Sequence, residues 1–429
     1  MNMKDNKSKQ TETDDLPTGW TETTLSEVAE PISKTHRFPN KDKIIFINTG
    51  DILAGKILHK NYSRISTLPG QAKKMIARDN ILFSEIRPMN KRYAFVDFDD
   101  TADYVVSTKL MVIRAKENIL PEFLYRVLIS NDALSEFQHI AESRSGTFPQ
   151  ITFDAISHYP VVLPAFKEQR AIAKILFDLD EKIELNHQLN KTLEAIGQAL
   201  FKRWFVDFEF PDDHGRHYKS SGGKMLESQL DEIPEGWGVK PLDAVAEFLN
   251  GLALQKFPPK GDEYLPVIKI RELNQGITES TDKAAIDIDK AYIVEDGDVL
   301  FSWSGSLQVC IWCEGRGALN QHLFKVTSPD YPKWFYYQWV KFHLPEFQQI
   351  AQGKATTMGH IQRHHLSAAL VTVPKTETLE NMSRVMSPII DQIIINSVEV
   401  RRLSEIRDSL LPKLMSGQIR IGNLGGGRF

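Results

Sequence analysis

Two cysteines in 429 residues are too few for a disulfide framework, so the fold must be held by packing, as suits a reducing compartment. No run of eighteen apolar residues occurs, and the first fifteen residues (MNMKDNKSKQTETDD) are polar. Neither a membrane span nor a secretory leader is expected, and the chain is read as cytoplasmic. An excess of positive charge is also missing. With 52 Lys and Arg against 56 Asp and Glu, the net charge is -4, so any contact with nucleic acid has to come from local patches. Catalytic signatures are absent: there is no HExxH, Walker A loop, GxSxG or GxGxxG, and no NPPF or DPPY of an amino-methyltransferase. The cysteines stand as Cys310-Ile311-Trp312-Cys313 with no second pair. They read as strand residues of a core, and no metal ligand or catalytic residue is assigned.

Repetition is the dominant positive feature. Residues 16–30 (LPTGWTETTLSEVAE) and 233–247 (IPEGWGVKPLDAVAE) share Pro, Gly, Trp, Leu, Val, Ala and Glu at seven of fifteen positions, where unrelated segments would share about one. ILFS at 81–84 returns as VLFS at 299–302, and ITFDAISHYPVVLP at 151–164 aligns without gaps on IQRHHLSAALVTVP at 361–374. Between these landmarks the halves diverge, as they would if a common frame carried contents that choose different partners. A length of 429 residues, 41% hydrophobic, leaves room for two or three cores.

Each copy is followed by a long helical pattern. In the first, Ile172, Ile175, Leu179, Ile183, Asn186, Leu189, Leu193, Ile196, Leu200 and Trp204 fall at steps of three and four. The same register places Ile389, Ile393, Asn396, Leu403, Ile406 and Leu410 on the second stripe. Roughly forty residues at about 1.5 Å each make a rod of about 60 Å. Two such stripes should pack as an antiparallel coiled coil, with Asn186 and Asn396 either in the seam, fixing alignment, or turned to solvent. Pro388 is expected to kink or divide the second helix and Pro412 to bend its last turns. The fold class that follows is α+β: two similar mixed α/β domains on two long antiparallel helices, related by a pseudo-twofold. The boundaries are a polar N-terminus at 1–15, a first domain at 16–165, a spacer helix at 166–209, a linker at 210–232, a second domain at 233–375, a spacer helix at 376–417 and a tail at 418–429. The linker and tail read as flexible.

EQRAIAKIL at 168–176, ALFKRWFVDFEF at 199–210, SWSGS at 302–306, NQHLFKV at 320–326 and RDSLLPKLMSGQI at 407–419 resemble stretches of the specificity subunit (HsdS) of type I restriction-modification systems. The resemblance covers nearly the whole chain from Leu16 to Ile421. It implies two target-recognition domains that each read half of a split double-stranded DNA sequence, and helices that set the gap. It also implies docking of two methyltransferase subunits, which carry the S-adenosylmethionine, and, through them, the restriction subunits. No cofactor is then expected in this chain. The rival reading is a coiled-coil scaffold that binds only protein.

Reading DNA takes phosphate clamps and base-edge hydrogen bonds. In the first domain the candidates are Lys73, Lys74, Arg78, Arg87, Lys91 and Arg92 of a basic segment, with the loop Arg144, Ser145, Gly146 and Thr147. In the second they are Lys269, Arg271, Trp303, Ser304, Gln321 and His322, then Lys354, Thr356, Thr357, His360 and Arg363. Trp20 and Trp237 recur at one place in both copies and read as frame elements. The aromatic cluster of FKRWF should seal a helix end.

Overall fold

The computed structural model describes residues 16–38, 41–144, 149–212, 214–353 and 359–421. The chain divides into two compact units. One takes the chain up to Asp180 and again from Glu405, and the other runs Glu181–Ser404. Each long helix is therefore shared between units.

In the first unit, Thr21–Thr24 pairs antiparallel with Pro160–Leu163, so the domain begins and ends on adjacent strands. Between them lie two four-stranded sheets. One has the order Tyr62–Arg64, Lys43–Ile47, Tyr104–Ser107, Ala72–Lys74, with its central pair parallel. The other has the order Ala29–Pro31, Leu110–Ala115, Ile81–Ser84, Tyr93–Phe95, all antiparallel. Ile81–Ser84 is buried along its whole length, which explains why ILFS reads as a continuous apolar run instead of an alternating strand. Pro121–Leu128 and Asn131–Arg144 cover the second sheet.

The second unit repeats this order strand for strand. Gly238–Pro241 pairs with Leu370–Val373. Lys283–Ala284, Leu265–Ile268, Gly317–Leu319 and Ile293–Val294 form one sheet, again with a parallel central pair. Glu247–Asn250, Leu323–Thr327, Val299–Ser302 and Val309–Ile311 form the other. One helix, Lys333–Gln352, stands where the first unit has two. The divergent stretches between landmarks thus fold alike. The duplicated frame fixes which strands meet, while their lengths and loops vary.

The long helices run Phe166–Phe205 and Thr376–Met415. Within the second unit they lie antiparallel. Asn190 donates to the Ile393 carbonyl (3.3 Å) and to Ser397 Oγ (2.9 Å), and Gly197 lies against Met386 and Ile389. Asn186 and Asn396 are both in the seam, 0% and 4% exposed. Asn396 donates to Asn190 Oδ1 (2.9 Å), and Asn186 donates to Glu399 (2.8 Å). Asn190 and Asn396 pair across the seam and Asn186 Nδ2 finds Glu399, although Asn186 Oδ1 is buried without a partner among the described residues, so a shift of register would leave more polar groups buried and unpaired. In the first unit Asp180 meets Arg407 in the same antiparallel sense (2.9 Å).

Several expectations are corrected. Ile196 and Ile406 are exposed (43% and 46%), and Leu189 with them; Gly197 is buried in the first case and Arg407 is half-buried in the second. A helix of 3.6 residues per turn rotates away from a strict three-four stripe by about 20° per heptad, so the seam passes to the next residue. Ile172 and Ile183 are buried, while Ile175, Leu179, Leu193, Leu200, Ile389, Leu403 and Leu410 are half-buried along the pair, with Ile393 buried between them. The second helix runs unbroken through Pro388 and Pro412. Both prolines are exposed, so water can take up the carbonyl that each leaves without a donor.

The described residues of the expected linker, 210–212 and 214–232, are built into the fold. Phe208 and Phe210 are buried against Trp237 (5.8 and 4.9 Å between centroids), and Met225–Ser228 pairs with Asp231–Pro234 in a hairpin. The tail is fixed as far as Ile421, because Arg420 pairs with Glu168 (2.8 Å) and donates to the Thr18 carbonyl (3.1 Å).

The domain cores incorporate the helix ends. Leu414 joins Trp20, Leu25 and Val28 in the first unit. Phe201, Trp204 and Phe205 join Trp237, Trp334, Phe335 and Trp339 in the second, where the FKRWF cluster seals the helix end against its own domain. Trp20 and Trp237 are buried frame elements. Cys310 lies in the strand Val309–Ile311, and Cys313 is buried just after it. Burial pushes these thiols up to about 12 and about 11 respectively, so both stay protonated. Among the described residues no helix is long and apolar enough to cross a membrane.

Candidate nucleic-acid interface

In both domains the all-buried strand ends on a serine, and the chain after it turns against a segment far along the sequence. Ser84 lies opposite Leu110, and Ile86 then bridges to Gln150. Ser302 lies opposite Leu323, and Ser304 bridges to His360. Topology therefore brings three separate stretches of each half to one edge: the turn after the strand, the residues leading into the partner strand, and the residues that follow position 148 in one half and position 358 in the other.

In the first domain this edge carries Arg87 and Lys91 on either side of the turn Pro88–Asn90. Both are exposed, with left-handed φ of 45° and 55°. Such backbone costs on the order of 1 kcal/mol or more per residue, and tertiary hydrogen bonds hold it here. Arg87 N donates to the Pro149 carbonyl (3.2 Å), and Ala54 N donates to that of Lys91 (2.7 Å). Lys109, the residue before Leu110–Ala115, is 3.4 Å from Gln150 Oε1 and 44% exposed.

The other first-domain candidates are distributed differently. Lys73 is exposed on the edge strand Ala72–Lys74. Lys74 points inward: its ammonium donates to the carbonyls of Thr108 (3.0 Å) and Leu110 (2.8 Å) beside Glu85, and burial holds its pKa below the ordinary lysine value. Arg92 donates to the carbonyls of Gly50 (3.0 Å) and Ile52 (2.9 Å). These two side chains are engaged by backbone carbonyls of their own domain. Arg78 is exposed but sits against Asp99 (3.0 Å) and Asp79 (3.8 Å), which offset its charge. Arg144 ends its helix; its side chain and residues Ser145, Gly146 and Thr147 lie outside the described residues.

In the second domain the edge is polar and aromatic. Ser304, 4% exposed, is 2.9 Å from His322 Nδ1, whose Nε2 is 3.4 Å from Gln321 Nε2. Half-buried Trp303 donates to Asn250 Oδ1 (2.9 Å) and to the Gln321 carbonyl (3.2 Å), with its ring 5.9 Å from His322 and 6.4 Å from His360. Arg363 lies over Phe324 and donates to the Phe248 carbonyl (3.2 Å). Lys269 and Arg271 are elsewhere, at the start of the short helix Ile270–Gln275 that follows the strand Leu265–Ile268. Lys269 pairs with Asp282, while Arg271 pairs with buried Glu272 (2.8 Å) and donates to the Ser280 carbonyl. Lys354, Thr356 and Thr357 lie outside the described residues.

Sequence reasoning missed Lys109, Gln150 and Asn250. The repeat contained the signal, since KLMVI at 109–113 stands where HLFKV stands at 322–326 and Gln150 stands where His360 does. The same frame thus presents an ammonium and an amide in one half and two imidazoles in the other. These groups suit base edges and phosphates, and they differ between the halves.

A family model described as the Type I restriction modification DNA specificity domain matches residues 17–195 and 234–404, the two copies of the repeat. The chain is 33% identical over 461 residues to the Type I restriction enzyme HindI specificity subunit of Haemophilus influenzae, covering 93% of this chain and 99% of that one. It is 28% identical over 322 residues to the MjaIX specificity subunit of Methanocaldococcus jannaschii, covering 72% and 71%. A solved S subunit of a type I restriction-modification system from M. genitalium overlays with a TM-score of 0.53 at 14% identity over 94% of this chain and 97% of that one, a likeness of fold. With both repeats matched and a relative aligned along almost its full length, the chain belongs to the family of type I restriction-modification specificity subunits.

Proposed function

We propose that each domain reads one half of a split duplex sequence at the edge formed by the turns after Ser84 and Ser302, and that the paired helices fix the gap between the halves. Membership of the family makes the chain the sequence-specificity subunit of a type I complex, a non-catalytic component that works with DNA and with other subunits. The observation that carries the finer reading is the strand-for-strand repeat, which offers two equivalent edges with different chemistry.

The same repeat supports two copies of one partner. Leu185 and Ile196 are exposed on the first helix, and Ile395 and Ile406 are exposed at the matching positions of the second. A large apolar side chain left in water twice at equivalent places fits a protein that docks twice. The partner proposed is the methyltransferase subunit, which would hold the S-adenosylmethionine and connect to the restriction subunit, in the cytoplasm.

The test is selection from random duplexes by the purified complex with its methyltransferase. A bipartite consensus is expected, with affinity falling steeply with salt as counterions are released. Lys109→Ala should relax one half-site and His322→Ala the other. Inserting seven residues into the first helix should change only the gap. A complex with no preference among duplexes would sink the reading and favour the protein-only scaffold.

A further inference from the structure

We propose that the charged contacts closing the first unit form a docking surface that accepts the arginine-bearing end of the second long helix and rejects a second copy of the first helix. The two similar halves would then pair only with each other.

Two separate places carry the inference. At the first, Asp180 lies between Arg126 (2.6 Å) and Arg407 (2.9 Å). Arg126 is 3% exposed and stands over Phe177, 4.3 Å from the ring centre. At the second, Glu168 takes both arms of Arg420 (2.8 and 3.0 Å) and the Trp20 indole (3.0 Å), and the guanidinium stands over the Trp20 ring. Gly417, with φ +72°, lets the chain pass Trp20 and Pro17, which a side chain there would strike.

The second unit has the same backbone at the matching places. Val206 N bonds Lys202 O as Ser416 N bonds Pro412 O, and Glu209 N bonds Arg203 O as Ile419 N bonds Lys413 O. In that register none of the charges recurs. Ile390 stands for Asp180, Gly197 for Arg407, Thr378 for Glu168 and Phe210 for Arg420. At the sixth position of the domain helix, Gln338 stands for Arg126. Phe210 stacks on Trp237 (4.9 Å) where Arg420 stands over Trp20.

Because the pairing is antiparallel, these substitutions decide which ends are compatible. Two first helices brought together would set Asp180 against Gly197 and Glu168 against Phe210. Two second helices would set Arg407 against Ile390 and Arg420 against Thr378. Either arrangement breaks the ion pairs between helices: Asp180 would keep only Arg126, Glu168 only the Trp20 indole, and the two arginines would face uncharged side chains. Only first helix with second helix gives Asp180 and Glu168 an arginine from the opposite helix. A duplicated chain carries a standing risk of pairing with the wrong copy of its own element, and this surface removes it.

The test uses full-length chains and reads mass instead of DNA binding, so its outcome is separate from that of the functional proposal. One variant carries Glu168→Arg with Asp180→Arg, and the other carries Arg407→Asp with Arg420→Glu. Alone, each meets itself with like charges and should lose amide-exchange protection in residues 405–421. Co-expressed under different tags, they should co-purify as a species of twice the wild-type mass by light scattering. The chain with all four changes should return to wild-type mass and regain exchange protection in residues 405–421, with a lower thermal midpoint because Asp180→Arg sets a second guanidinium against Arg126. Wild-type mass and protection in either variant alone, or a four-change chain no better than the pairs, would overturn the proposal.

Discussion

The two crossings of the long helices occupy equivalent places in a duplicated frame and are built from opposite chemistry. In the first unit the crossing is an ion triad, Arg126, Asp180 and Arg407. In the second, Gly197 lies against Gln338, Met386 and Ile389, and the helix end enters a cluster of Phe201, Trp204, Phe205, Trp334 and Trp339. A frame that needs only helix spacing and strand order tolerates either solution. The difference teaches that the repeat preserves backbone register, while side chains at the crossing are free to make the halves distinguishable.

Four changes would break or sharpen that contrast. Trp204→Ala should have the largest effect, about 4 kcal/mol, because it empties the aromatic cluster, against about 3 kcal/mol for Leu414→Ala at the matching position. Denaturant unfolding with amide exchange resolved by unit would measure both, and equal costs would erase the distinction. Asp180→Ala should cost about 3 kcal/mol by leaving Arg126 buried without its carboxylate. Ile390→Val in the other unit should cost only about 1 kcal/mol.

A smaller effect is expected at Glu168. Burial there favours the neutral acid, but the hydrogen bonds from Arg420 and Trp20 outweigh it and hold the carboxyl below its ordinary value of 4.5. A depressed folded pKa gives stability that is present above pH 4.5 and lost as pH falls through the folded value. Exchange of the segment ending at Ile421 should therefore accelerate on acidification, and Glu168→Gln should flatten that response. Thr378, at the equivalent place in the second copy, has no carboxyl to protonate. The smallest change is expected for Gly197→Ala, within about 1 kcal/mol. Helix propensity favours alanine, while the new methyl must displace the Gln338 amide, 3.1 Å away.

Much of the architecture was legible because a few residues carry it. The Pro-Gly-Trp segments, ILFS with VLFS and the proline-terminated strands mark the frame in both copies, and the absence of breakers marks the helices. The linker misled because the stretch that begins at Pro211 is rich in Asp, Gly and Ser, which conceals the anchoring of Phe208 and Phe210 just ahead of it. The seam misled at Ile196 and Ile406 because a straight helix drifts from its stripe.

The candidate site was less legible, for a topological reason. Lys109 and Gln150 meet only because Ser84 lies opposite Leu110 and Ile86 beside Gln150, pairings that no local pattern reveals. Lys74 and Arg92 were read as ligands because charge is visible in sequence and the carbonyls that capture it are not.

The division of the chain also sets an order of events during synthesis. The first domain emerges early but lacks Leu414, Gly417 and Arg420 until more than two hundred residues after Asp180 have been made. At ~5–20 residues per second this is a wait on the order of 10 to 40 s. The domain made second closes first, and the one made first stays open until the ribosome delivers the second long helix.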